Sequence, residues 1–158
     1  IVDAGPENVR AGTQNIRRFV EQDDELDSID AFVDRVVGYN PRRDPVQIRG
    51  SIVNNLRELP NGKWTWKYDK ILRSPGRMGR TQDPDMTKRL WGYVESLSCP
   101  TLVVRGDRSD IIATDTADEM QKRIPKGELA IIKNAGHLVM GDNPSGFEKA
   151  VTEFISTL

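Results

Sequence analysis

The sequence holds one histidine, His137, in Asn134-Ala135-Gly136-His137, directly after the apolar run Leu129-Ala130-Ile131-Ile132. A second loop, Gly106-Asp107-Arg108-Ser109-Asp110, follows another apolar run, Thr101-Leu102-Val103-Val104-Arg105. If the two runs are neighbouring parallel strands, Asp110 and His137 share one edge of a sheet, where such sheets gather their ligands. An acid that orients an imidazole, with the imidazole as general base, is what covalent acyl chemistry requires. The plain alternatives are a structural histidine and an aspartate that serves its own turn. The context favours chemistry, because Gly136 precedes the histidine and Asp142-Asn143-Pro144 opens a helix just beyond it.

These loops need elements to hold them. The runs 101–105 and 129–132 lack polar alternation, which predicts strands covered on both faces. Residues 113–124 read as the crossover helix between them, and 143–157 as a final amphipathic helix carrying Phe147, Val151, Phe154 and Ile155. This β-α-β-α unit predicts a parallel sheet with a right-handed crossover. Upstream, helices are expected from about Pro6 to Glu21, after the cap Ser28 with Phe32, Val33, Val36 and Val37 inward, and from Asp44-Pro45 to just before Pro60-Asn61-Gly62. Trp64, Trp66 and Tyr68 recur every second residue, which puts them on one face of an extended segment. That face either packs a hairpin or contacts a substrate. Residues 74–85, with Arg77, Met78 and Arg80, read as a connection or lid edge able to meet an anionic substrate, and a helix is expected over 85–97.

Composition narrows the function. With 23 Lys and Arg against 24 Asp and Glu, the net charge is −1, so no field draws a nucleic acid backbone or an anionic membrane. No apolar run approaches the ~18 residues of a membrane span, and no signal peptide opens the sequence. Cys99 is alone, so it has no partner for an intrachain disulfide and no second thiol for a metal; a reducing cytoplasm is the expected location. Residue 1 is Ile, and Ile1-Val2-Asp3-Ala4-Gly5-Pro6 reads as the end of a strand entering a turn, as in the later part of something longer.

Residues 99–158 resemble the C-terminal end of an α/β-hydrolase: Cys-Pro-Thr-Leu-Val-Val-Arg-Gly-Asp-Arg-Ser-Asp, then Asn-Ala-Gly-His, then Asp-Asn-Pro and the terminal helix. "IVDAGP" resembles the strand that follows the nucleophile-bearing unit of that family, and the stretch between occupies the place of its helical cap. The resemblance implies an α/β fold: 1–6 as the end of a core strand, 7–98 as cap, and 99–158 as the C-terminal part of the core. It makes His137 the triad base. Asp110, placed before the apolar pair Ile111-Ile112, is the preferred acid; Asp107 in the same loop is weaker, and Asp3 is the rival, since some members carry the acid after the sixth strand.

The family's Gly-x-Ser-x-Gly elbow is absent from these 158 residues, and so is the first oxyanion loop. The expected function is therefore hydrolysis of a small organic ester, lactone or related carbonyl compound, with the nucleophile supplied by a missing N-terminal half, either a separate chain or an absent segment. An Asp nucleophile would instead imply epoxide or haloalkane opening. A non-catalytic ligand- or protein-binding module of the same fold is the alternative from another class. No cofactor or metal is implied, because one His and one Cys make no coordination cluster.

Overall fold

The structure is a computed structural model that describes residues 1–74 and 84–158. Arg77, Met78 and Arg80 lie outside the described residues. In chain order the elements are α1 (Arg10–Glu21), β1 (Glu25–Leu26), α2 (Ile29–Tyr39), α3 (Pro45–Ile52), β2 (Leu56–Glu58), β3 (Trp64–Trp66), α4 (Pro84–Glu95), β4 (Thr101–Gly106), α5 (Thr114–Arg123), β5 (Gly127–Ile132), α6 (Val139–Asp142) and α7 (Pro144–Ile155), with short 3-10 turns at Val53–Asn55 and Lys70–Arg73. They form two compact units, Ile1–Gln14 with Arg80–Leu158, and Asn15–Gly79. Among the described residues no helix is long and apolar enough to cross a membrane.

In the first unit β4 and β5 pair in parallel, from Thr101 opposite Gly127 to Gly106 opposite Ile132. The first residues of the chain form a third, short line on the other side of β4. Val2 bridges Val104 in parallel, Val104 N–H donates to Ile1 O at 2.8 Å, and Asp3 N–H donates to Val104 O at 2.7 Å. Successive residues of β4 serve opposite faces. Val103 joins Ile112, Ala117, Met120 and Val94 on the side of α4 and α5, while Val104 joins Ile132, Ala135, Val139 and Phe147 on the side of α7. Burial on both faces is why this strand reads as an unbroken apolar run. α1 starts at Arg10 rather than near Pro6, because Val9 N–H is spent on Ile111 O at 2.8 Å, which ties the chain before the helix to the loop after β4.

The second unit has its own core of Phe32, Val33, Ile48, Ile52 and Leu56, with Trp64 and Trp66 packed against it. The two caps read from sequence form as expected: Ser28 accepts from Ala31 N–H at 3.1 Å and Asp44 from Val46 N–H at 2.8 Å. The third helix, expected to reach Leu59, stops at Ile52. Asn54 and Asn55, weak helix formers, turn their side chains back to the Gly50 and Ser51 carbonyls, and Leu56–Glu58 leaves as a strand. Leu56 is still buried in the same core, so the apolar spacing is satisfied by a different backbone. β3 lies between β1 and β2, antiparallel to both, and a turn at Gly62 (φ 78°) closes the β2–β3 hairpin.

Candidate active site

Three chain segments end at one edge of the parallel sheet: Asp3 after the first line, 106–112 after β4, and 133–137 after β5. Asp3 Oδ2 lies 2.9 Å from His137 Nδ1. The Asp3 carboxylate is 1% exposed and takes two further donors, Gly106 N–H on Oδ1 at 3.2 Å and Ser109 Oγ–H on Oδ2 at 2.6 Å. With Gly106 N–H and Ser109 Oγ–H also directed at it, the carboxylate accepts from the imidazole, so Nδ1 carries the imidazole proton and Nε2 keeps its lone pair. That is the tautomer a general base needs.

The acid expected from sequence, Asp110, is not on His137; its side chain is exposed. The local backbone explains the exchange. Asp3 has φ 42°, a left-handed turn directly after its strand pairing that folds the carboxylate toward the end of β4. In the loop after β4, the N–H groups of Ile111 and Ile112 both donate to Ser109 Oγ, at 3.1 and 3.3 Å, while both isoleucine side chains are buried. This tight turn presents Ser109 inward and leaves Asp110 outside. Asp107 serves the loops: its Oδ1 accepts from Ala135 N–H at 3.2 Å.

The histidine loop is held from both sides. Arg108 N–H donates to Ala135 O at 2.9 Å, its guanidinium reaches Asn134 Oδ1 at 2.7 Å, and Asp142 Oδ2 accepts from Gly136 N–H at 2.8 Å. Asn134 takes φ 56°, which starts the turn into the histidine. A Cβ on Gly106 would stand 2.3 Å from Gly136 O and 2.4 Å from Ala135 O, both backbone atoms. Gly106→Ala is therefore expected to cost about 3 kcal/mol or more by chemical denaturation. Gly38→Ala, at an open site within α2, should gain about 0.5–1 kcal/mol in the same assay.

The His137 pKa is raised above its ordinary value, first by the hydrogen bond to Asp3, against partial burial, with the charges of Asp3 and Asp110 adding to the rise. Asp110 thus acts on the imidazole through its charge alone.

Neither Ser109 nor Arg105 is given a role by the sequence alone. The signal for Arg105 was available: it is the one charged residue in an otherwise apolar buried strand, and it is 6% exposed.

Of the aromatic residues, Trp64 packs on the core of the second unit. Trp66 meets Phe32 edge-on at 5.0 Å and stacks with Tyr68 at 6.3 Å. Trp66 and Tyr68, with Phe19, Asn55 and Lys67, line an open depression of about 520 Å³ in that unit. The aromatic face therefore packs a core and also leaves part of itself accessible.

No protein-family profile matches the chain. Among curated proteins it is 29% identical over 134 residues to Esterase Rv0045c of Mycobacterium tuberculosis (strain ATCC 25618 / H37Rv), covering 84% of this chain and 42% of the esterase. It is 27% identical over 118 residues to the mouse (Mus musculus) sn-1-specific diacylglycerol lipase ABHD11, covering 69% of this chain and 33% of the lipase. The chain thus spans less than half the length of either relative. Among solved structures, the same Mycobacterium tuberculosis esterase aligns over 98% of this chain and 50% of its own, with a TM-score of 0.71 and 28% identity. An alpha/beta hydrolase from Novosphingobium aromaticivorans DSM 12444 aligns over 99% of this chain and 56% of its own, with a TM-score of 0.77 and 26% identity.

Proposed function

Because the chain belongs to the α/β-hydrolase fold family, of which it holds the C-terminal portion, we propose that it supplies the acid, the base and the cap of an enzyme that hydrolyses small organic esters through a covalent acyl intermediate. The observation that carries this reading is the Asp3–His137 hydrogen bond of 2.9 Å at the carboxyl edge of the sheet. Ester cleavage is named for both curated relatives, as esterase and as lipase.

In this reading His137 Nε2 takes the proton of the nucleophile as it attacks the ester carbonyl. The same proton then passes to the leaving alkoxide as the tetrahedral intermediate collapses to the acyl-enzyme. A water enters, loses its proton to Nε2, attacks the acyl carbon and releases the acid, and the nucleophile recovers its proton. Asp3 keeps its hydrogen bond to Nδ1–H and stabilises the imidazolium in both halves of the cycle. The nucleophile and the oxyanion donors lie in polypeptide beyond these 158 residues. The second unit serves as cap, and its aromatic face with Trp64, Trp66 and Tyr68 selects the acyl group.

The test is hydrolysis of p-nitrophenyl esters of increasing acyl length by the full-length protein. Turnover above the His137→Gln background is expected, and Trp66→Ala should reorder the preference among acyl lengths. Absence of turnover across the series would remove the esterase reading. A uniform loss in Trp66→Ala together with lower stability would restrict the aromatic face to packing.

A further inference from the structure

Ser109 and Arg105 have no part in the proton transfers above, yet both are built into the carboxylate's surroundings. Ser109 Oγ accepts from the Ile111 and Ile112 N–H groups, so its single hydrogen is left to point at Asp3 Oδ2, 2.6 Å away. That oxygen also takes His137 Nδ1–H. The backbone of Ser109 is held in turn: Arg105 Nη2 donates to Ser109 O at 3.3 Å, while Nε and Nη1 donate to Ile112 O and Gly106 O, each at 2.9 Å. A guanidinium is costly to bury, and here main-chain carbonyls at the start, middle and end of a single loop receive its protons.

We propose that Ser109 is a positioning residue for the acid–base pair: its hydroxyl fixes the Asp3 carboxylate and tempers its hold on His137, and Arg105 seats the loop that presents it. The proposal rests on the reading of Asp3 as acid and His137 as base. Oδ2 divides its negative charge between two donors. When the hydroxyl is removed, the same oxygen serves the imidazole alone, and the imidazolium is stabilised further. The other charged groups facing this corner are unchanged by the substitution: Asp110 acts through its charge, while Asp107, Arg108 and Asp142 hold the loop through Ala135, Asn134 and Gly136.

The test is the titration of the His137 imidazole by NMR in the full-length protein, its signal assigned by its loss in His137→Gln. Ser109→Ala should raise the His137 pKa by about half a unit, roughly threefold in the protonation equilibrium, and Ser109→Thr, which keeps the hydroxyl, should restore it. If Ser109→Ala does not fold, Ser109→Cys, which keeps the volume and weakens the donor, should show the same rise. An unmoved pKa in a folded Ser109→Ala or Ser109→Cys protein would overturn the proposal, and so would equal shifts in Ala and Thr. Asp3→Asn separates the two levels: it should lower the His137 pKa, and an unmoved value there would mean that the acid–base assignment itself fails.

Discussion

Replacing Asp3 by Asn in the full-length protein is expected to lower kcat/KM for ester hydrolysis by about 10³- to 10⁴-fold, while Asp110→Asn changes it by less than about tenfold. The difference follows from what each carboxylate touches. Asp3 is buried and accepts Nδ1–H of His137 at 2.9 Å, so it selects the tautomer with a free Nε2 and stabilises the charge that Nε2 acquires. An Asn amide placed there can offer an N–H to Nδ1, which moves the imidazole proton to Nε2 and leaves no base facing the nucleophile. Asp110 is exposed and contributes only through its charge, which water and salt screen.

The pH dependence carries a sign that can be checked. His137 has its pKa raised in the folded protein, and the reaction needs the neutral imidazole, so the acid limb of kcat/KM should lie above the ordinary histidine value of 6.5. For stability the order is reversed. A pKa raised by folding contributes stability that is fully present below 6.5 and is lost as pH rises through the folded value. Denaturation of the parent and of Asp3→Asn across that window should therefore converge as the pH rises, so far as the histidine is concerned. An Asp110→Asn protein as impaired as Asp3→Asn would return the acid to the loop after β4.

What could be read in the sequence was the part governed by local periodicity and by caps. Val103 and Val104 face opposite layers, and the strand they share had to be apolar on both sides. Ser28, Asp44 and Asn143 cap their helices through their own side chains, and all three announce themselves by residue type. The carboxylate that meets His137 was not legible in this way. Its identity depends on a left-handed backbone at Asp3 and on a loop held from below by Arg105, both of which are three-dimensional events with no periodic trace. The placement of Asp110 before Ile111-Ile112 misled because burial of the two isoleucines turns Ser109 inward, and the intervening aspartate is left on the outside. β1 escaped for another reason: two residues, Glu25 and Leu26, are too few to alternate.

The largest effect is expected from the polypeptide that supplies the nucleophile. The 158 residues alone should neither hydrolyse a short activated ester nor be labelled by a fluorophosphonate, whereas the same chain joined to, or mixed with, the upstream half should do both. In the proposed reaction His137 Nε2 is the atom that meets the nucleophile, and several serine hydroxyls among the described residues are engaged elsewhere. Ser109 is on the Nδ1 side with its proton on Asp3, Ser145 is bonded to Asn143, and Ser51, Ser96 and Ser156 donate to carbonyls of their own turns. Cys99 precedes the start of β4, at the opposite end of a six-residue strand and so about 20 Å from the edge that carries His137. A second observation supports the same proposal. Ile1 and Val2 pair with β4 on one side, and beside them Ile1, Ala4, Pro6, Leu90, Tyr93 and Leu97 help line an apolar depression of about 280 Å³, with Ile1 42% and Tyr93 58% exposed. Strand and helix surface of this kind favours cover by further sheet and helix. Complementation should therefore raise solubility together with activity, and the fluorophosphonate should mark a residue of the added half. Labelling of a serine within the 158 residues would place the nucleophile here and overturn the division of labour between the two halves.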